Sequence, residues 1–168
     1  SQNIPQTIKG FQVTHTASRL GDISAMALSD DGTIFTADQA KGRIIRLSDR
    51  GQDGQIDTTR PIASGLTSPS GLAVIDDWLY IADATAIWRV KPSGGVPELF
   101  VSLQNTGAIA APRPLLANAA KNQLMLGLST DAGTWISAEL AVGAIEIEDE
   151  IYGVVRPGLS WGRGFQSG

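Results

Sequence analysis

The sequence predicts an all-β chain built from a repeated four-stranded sheet, and three observations predict it. No stretch of 12 or more residues carries a clean i, i+3, i+4, i+7 apolar stripe, the mark of an amphipathic helix. Short apolar runs alternate with turn residues instead, and the 19 glycines and 8 prolines are spread along all 168 positions. The runs also recur at a spacing of about 45 residues, as in radially stacked sheets.

Taken in order, residues 11–17 read as an outer strand that closes a final sheet. Residues 23–29 form a strand, Asp30-Asp31-Gly32 a hairpin turn, and residues 33–37 the returning strand. Gly42 precedes a third strand at 43–47, and residues 49–57 form an Asp/Gly turn between two outer strands. The pattern then restarts at 71–75, turns at Asp76-Asp77, and continues through 78–82, 86–90 and 97–103. Residues 106–122 read as a loop followed by a strand, because Pro112 and Pro114 limit any helix there.

The repeat is visible residue by residue. Leu20-Gly21-Asp22-Ile23-Ser24-Ala25-Met26-Ala27-Leu28 aligns with Leu66-Thr67-Ser68-Pro69-Ser70-Gly71-Leu72-Ala73-Val74 at an offset of 46. Ile34-Phe35-Thr36-Ala37-Asp38 aligns with Leu79-Tyr80-Ile81-Ala82-Asp83 at an offset of 45. Leu115-Leu116-Ala117 and Leu124-Met125-Leu126-Gly127 continue the period more weakly. Gly158-Leu159-Ser160-Trp161-Gly162-Arg163-Gly164-Phe165 repeats the string from Gly65 to Leu72 at an offset of 93. Such a unit is one blade of a β-propeller, since a single blade cannot bury both its faces. The reading is one domain over residues 1–168, with blades at 21–64, 66–103 and 112–155 and the start of a fourth at 158–168. That is about three and a half blades, fewer than the four or more of a closed ring. The expectations are a longer chain, a protein partner or a second copy that completes the ring, or an open array with free edges. Two half-rings related by a two-fold axis would make about seven blades.

Composition excludes several classes. A net charge of −4 argues against nucleic acid as a partner, which calls for a basic face. Hydrophobic residues at 42% and charged residues at 18% argue for a folded chain. With no cysteine and one histidine, thiol nucleophiles, Cys-zinc sites and any two-histidine mechanism are absent. No apolar run approaches the roughly 18 residues of a membrane span. The chain starts at Ser1 rather than Met, which fits a processed periplasmic or secreted protein.

Five features carry chemistry in principle. His15 lies in the run at 11–17, on one face with Phe11 and Val13, and reads as a packed or edge side chain. Asp49, Gly51, Asp53, Gly54 and Asp57 fall at positions 1, 3, 5, 6 and 9 of a calcium-loop pattern, which makes Asp49, Asp53 and Asp57 candidate metal ligands. Gly at position 3 and Arg60 at position 12 break that pattern, and a plain Asp/Gly turn is the competing reading. Gly158-Leu159-Ser160-Trp161-Gly162 matches a nucleophile-elbow string but lacks the later histidine such sites use, and the repeat already explains it. Glu146, Glu148 and Glu150 alternate with isoleucines, placing three carboxylates about 6–7 Å apart on one strand face. A solvated or charge-protected edge explains them better than a glycosidase pair. Trp78, Trp88, Trp135 and Trp161 read as packing between blades, with sugar stacking as the alternative.

Over roughly residues 10–92 the chain resembles the soluble glucose/sorbosone dehydrogenase-like propellers. The strings that carry the resemblance are Gly10-Phe11-Gln12-Val13, the run from Ser29 to Asp38, Gly42-Arg43-Ile44-Ile45-Arg46-Leu47 and the Asp/Gly-rich segment from Asp49 to Asp57. Ser64-Gly65-Leu66, Pro69-Ser70-Gly71-Leu72-Ala73 and Leu79-Tyr80-Ile81-Ala82-Asp83 continue it. Gluconolactonase-like and NHL-type propellers carry similar strings. The resemblance implies a periplasmic propeller, pyrroloquinoline quinone (PQQ) as cofactor, calcium, and sugar oxidation. The family's histidine after the proline of the second blade is Ser70 here, and Ala111-Pro112-Arg113-Pro114-Leu115 has no histidine at the start of the next blade. Abstraction from a sugar needs a base poised near neutrality, which these positions lack. The expectation is therefore a non-catalytic binding or accessory module of the cell envelope, with no catalytic residues of its own. The alternatives are a segment of a PQQ-dependent sugar dehydrogenase and, more weakly, a calcium-dependent lactonase-like hydrolase.

Overall fold

The computed structural model describes residues 7–103, 112–118, 120–121, 123–129, 135–141 and 160–161. Turn chemistry sets the first hairpin. The Thr33 N–H donates to Asp31 Oδ1 (2.9 Å) and the Gly32 N–H to the Ser29 carbonyl (3.0 Å), so the chain reverses in three residues. Strand β1 (Ile23–Leu28) then pairs with β2 (Ile34–Asp38), β2 with β3 (Arg43–Ser48), and β3 with β4 (Thr58–Ala63), all antiparallel. A second sheet repeats this order with β5 (Gly71–Ile75), β6 (Trp78–Ala82), β7 (Ala86–Val90) and β8 (Glu98–Ser102). A third contains β9 (Leu115–Ala117), β10 (Gln123–Ser129), β11 (Trp135–Ala141) and β12 (Ser160–Trp161). Among the described residues there is no helix, and none that could cross a membrane.

The first two sheets share one register. Phe35 stands opposite Ala27 and Arg46, and Arg46 opposite Arg60. In the second sheet Tyr80 stands opposite Ala73 and Arg89, and Arg89 opposite Glu98. Even the irregularity recurs, with a register shift between Ile44 and Ile45 and another between Ile87 and Trp88. It bends each outer strand at the same place.

The sheets stack face to face. One core joins Phe35, Ala37, Ile44 and Ile62 of the first sheet to Leu72, Leu79, Ile81 and Val90 of the second. Another joins Ala73, Tyr80, Ile87, Phe100 and Val101 to Leu115, Leu124 and Leu126 of the third. Tyr80 and Phe100 meet edge to face, with centroids 5.0 Å apart. The first strands lie side by side, β1 against β5 and β5 against β9. This close approach demands small residues. A Cβ on Gly71 would sit 2.1 Å from the Arg113 carbonyl oxygen and 2.9 Å from the Leu115 nitrogen.

Two expectations differ from the structure. Residues 11–17 form no strand, and His15 is exposed. The Ile56 N–H donates to the Thr16 carbonyl (3.3 Å), and that single backbone bond does not make a ladder. Ser160–Trp161 pairs with β11 through Ile136 and Ser137, and so is the fourth strand of the third sheet. The repeat pattern instead predicts the start of a fourth blade at residues 158–168. The edge of β11 offers backbone groups that the segment satisfies at that point.

Candidate functional site

In each of the first two blades a buried aspartate stands at the end of the second strand. Asp38 is 0% exposed and accepts from the N–H groups of Asp22 (3.2 Å) and Lys41 (3.4 Å) and from Arg43 Nε (2.9 Å). Burial alone would raise its pKa, but the Arg43 guanidinium and the two N–H groups outweigh it and hold the carboxyl below its ordinary value. Asp83 accepts from the N–H groups of Thr67 (2.9 Å), Thr85 (2.8 Å) and Ala86 (2.9 Å) and from the Thr85 hydroxyl (2.9 Å). Both carboxylates fasten the segment entering a blade to the turn between its second and third strands.

Two serines at equivalent positions then tie blade to blade. Ser24 Oγ donates to the Pro69 carbonyl (2.6 Å), and Ser70 Oγ accepts from the Arg113 N–H (2.8 Å). Ser70 is the residue at the histidine position of the resembling family. Its hydroxyl is buried and engaged by the next blade, so it offers no base to a substrate. Arg113 is also buried, and its guanidinium donates to the Ala84 carbonyl (3.0 Å). Burial lowers its pKa, and the Asp83 charge opposes that shift. The PQQ that the resemblance implies therefore finds neither a base nor an accessible cation at these two positions.

The Asp/Gly loop is organised around its own backbone. Asp49 accepts from the N–H groups of Asp53 (3.3 Å) and Gly54 (2.8 Å). Asp57 accepts from those of Arg50 (2.7 Å) and Gly51 (3.1 Å), and Asp53 from that of Gln55 (2.9 Å). Each of the three carboxylates accepts backbone N–H groups of the same loop. Among the described residues no three acid or histidine side chains come together as a metal site. Trp88 packs at the interface of the first two sheets and Trp78 at that of the second and third. Arg89 and Lys91 stack on Trp78, 4.3 and 3.8 Å from the ring centroid. Trp135, Ser160 and Trp161 lie in described strands. Glu146, Glu148, Glu150, Gly158 and Gly162 lie outside the described residues.

Sequence reasoning missed one feature. At the far end of the first sheet an open pocket of about 550 Å³ is lined by Thr33, Arg46, Ser48, Asp49, Arg50, Thr58, Thr59 and Arg60. Three guanidinium-bearing residues and four hydroxyl-bearing ones face one space. Arg46 and Arg60 come together only through cross-strand register, so no local motif announces them.

Antiparallel four-stranded sheets, stacked face to face with their first strands adjacent, define a partial β-propeller. No family model and no curated protein matches the chain. Solved structures do. The chain is similar to the Dos1 propeller, with a TM-score of 0.54 and 14% identity over 71% of this chain and 34% of that one. It is similar to an auxiliary nutrient binding protein from Bacteroides ovatus, with a TM-score of 0.59 and 9% identity over 77% of this chain and 30% of that one. A PQQ-bound aldose sugar dehydrogenase from Streptomyces coelicolor aligns at a TM-score of 0.49 and 15% identity, over 70% of this chain and 41% of that one. The chain thus spans about a third of the length of the first two. Similarity at these identities shows the fold alone.

Proposed function

We propose that the chain is a propeller binding module that acts without chemistry of its own, and that a further blade from a protein partner or a second copy covers its open faces. One observation carries this reading. Met26 and Leu28 in β1 are 66% and 68% exposed, whereas Leu72, which holds the Met26 position in β5, is 5% exposed beneath the first sheet. The first sheet thus presents outward the same apolar row that the second buries. The third sheet does likewise, since Leu116 is 63% exposed while its neighbour Leu115 packs inward. Exposed apolar rows of this kind mark interaction surfaces. An accessory role in the cell envelope, in the periplasm or outside the cell, agrees with the resemblance of residues 10–92.

The test is the native mass of the 168-residue chain in solution, alone and with a Met26→Glu/Leu28→Glu variant. Self-association or partner capture by the wild type that the variant loses supports the reading. A wild type that stays monomeric and binds no propeller partner overturns completion of the ring. Oxidation of an aldose by the PQQ-loaded chain would overturn the non-catalytic part.

A further inference from the structure

The internal repeat supplies a control for the pocket at the far end of the first sheet. Arg89 in β7 and Arg46 in β3 hold the same register position, each opposite the aromatic residue of the preceding strand. In the second sheet the outer strand answers with a carboxylate, and Arg89 Nε donates to Glu98 Oε2 (3.2 Å). In the first sheet the equivalent outer-strand residue is Arg60. Arg46 therefore faces a like charge across the ladder, an arrangement that destabilises a sheet. Its Nε is buried and has no hydrogen-bond partner among the described residues. A buried donor left unmade is costly, and more so when charged.

A second substitution opens the space. Trp78, which stacks on Arg89 and fills the second sheet's end, corresponds in register to Thr33. Replacement of an indole by a hydroxyl leaves room beside Arg46 and adds a donor. Ser48, Thr58 and Thr59 add further hydroxyl groups, and Arg50 a third guanidinium. Arg60 itself is steered by a hydrogen bond to the Ser93 carbonyl in the β7–β8 turn. Two acids stand near Arg46: Asp31, whose carboxylate is engaged by the Ser29 hydroxyl and the Thr33 N–H, and Asp49, which lines the pocket and accepts from the N–H groups of Asp53 and Gly54.

We infer that this pocket binds a small oxyanion, a carboxylate, sulfate or phosphate group, which supplies to Arg46 and Arg60 the negative charge that Glu98 supplies to Arg89. The planar guanidinium fork matches two oxygens of such a group, and the hydroxyls complete its hydrogen bonding. The site does not depend on how the ring is completed, because all its lining residues belong to the first sheet and its turns.

The experiment is titration calorimetry of the full chain with inorganic phosphate, sulfate and acetate in parallel, with chloride at matched ionic strength as the reference. Saturable binding of at least one of the three is expected. Phosphate against acetate then tells a phosphate-type ligand from a carboxylate. Arg60→Gln is expected to weaken that binding about ten- to a hundredfold, as for loss of one charged hydrogen-bond partner. Arg60→Glu rebuilds the pair of the second sheet, and is expected to melt higher than wild type in chloride and to bind none of the anions. No saturable heat with any of the three, or equal binding by wild type and Arg60→Glu, overturns the inference.

Discussion

Asp38 and Asp83 hold the same place in successive blades, each buried at the end of a second strand, and only Asp38 has an arginine hydrogen-bonded to it. The repeated role is mechanical, since each collects the N–H of the residue that enters its own blade, Asp22 or Thr67. The chemical means differ. Asp38 is bonded directly by Arg43, whereas Asp83 accepts from the hydroxyl and N–H of Thr85 and the N–H of Ala86, with the charge of Arg113 also acting on it.

Acid should therefore loosen the first blade. Asp38 is held below its ordinary pKa in the folded chain, so its contribution is complete above the unfolded carboxyl value of about 3.9 and is lost as pH falls through the lower folded value. Asp31 shifts in the same direction and adds to the slope. Asp38→Asn should lower the melting temperature most at neutral pH, and the gap to wild type should narrow as the pH drops below about 4. Thermal melts of both proteins from pH 7 to pH 3 check this.

Gly71→Ala should be severe. The added methyl would meet the Arg113 carbonyl oxygen at 2.1 Å, and backbone on both sides leaves it little room to move. A loss of about 3 kcal/mol or more is expected, at or above the upper end of ordinary overpacking. Urea denaturation measures it.

Two leucines at comparable strand positions should answer oppositely to truncation. Leu72→Ala removes a side chain buried between blades and should cost about 2–5 kcal/mol. Leu28→Ala touches an exposed position and should cost less than about 0.5 kcal/mol in the isolated chain. Denaturation of the two variants gives the comparison.

Ser70→Ala should cost about 1–3 kcal/mol, because it leaves the buried Arg113 N–H without its acceptor. Ser70→His installs the residue of the resembling family, but the site is buried and packed against the next blade. It should destabilise the fold further and produce no aldose oxidation in the presence of PQQ. Melting and a dye-coupled oxidation assay read the two effects.

The loop of Asp49, Asp53 and Asp57 should be indifferent to calcium, because among the described residues no three acid side chains converge as a metal site. Melting temperatures with calcium and with chelator should coincide.

The propeller was legible because its repeat rests on local patterns. Alternation in residues such as Gly71-Leu72-Ala73-Val74-Ile75 and turn chemistry at Asp30-Asp31-Gly32 are contained in short windows. Strand β4 is harder to read, since Arg60-Pro61 interrupts its apolar pattern at the bend opposite Ile45. The run at 11–17 has strand-like composition but no ladder partner, so the chain there stays irregular. The pocket was not legible at all. Arg46 and Arg60 are 14 positions apart in the chain, and their pairing depends on a register that only the folded sheet defines. The comparison of Arg60 with Glu98 was hidden for the same reason, because turns of different length shift the repeat before it reaches the outer strands.

The two inter-blade cores share the second sheet, and this sets how the molecule comes apart. Strands β5–β8 are covered on both faces, while among the described residues the first and third sheets are each packed on one. Stability in such a stack is passed between nearest neighbours, as in a linear array of coupled units. Amide hydrogens of β6 and β7 should therefore exchange with solvent last, through near-global opening, and those of β1 should exchange earlier through fraying of the outer sheet. Covering the face of Met26 and Leu28 would slow exchange in β1 first, so exchange rates there would report on whatever completes the ring.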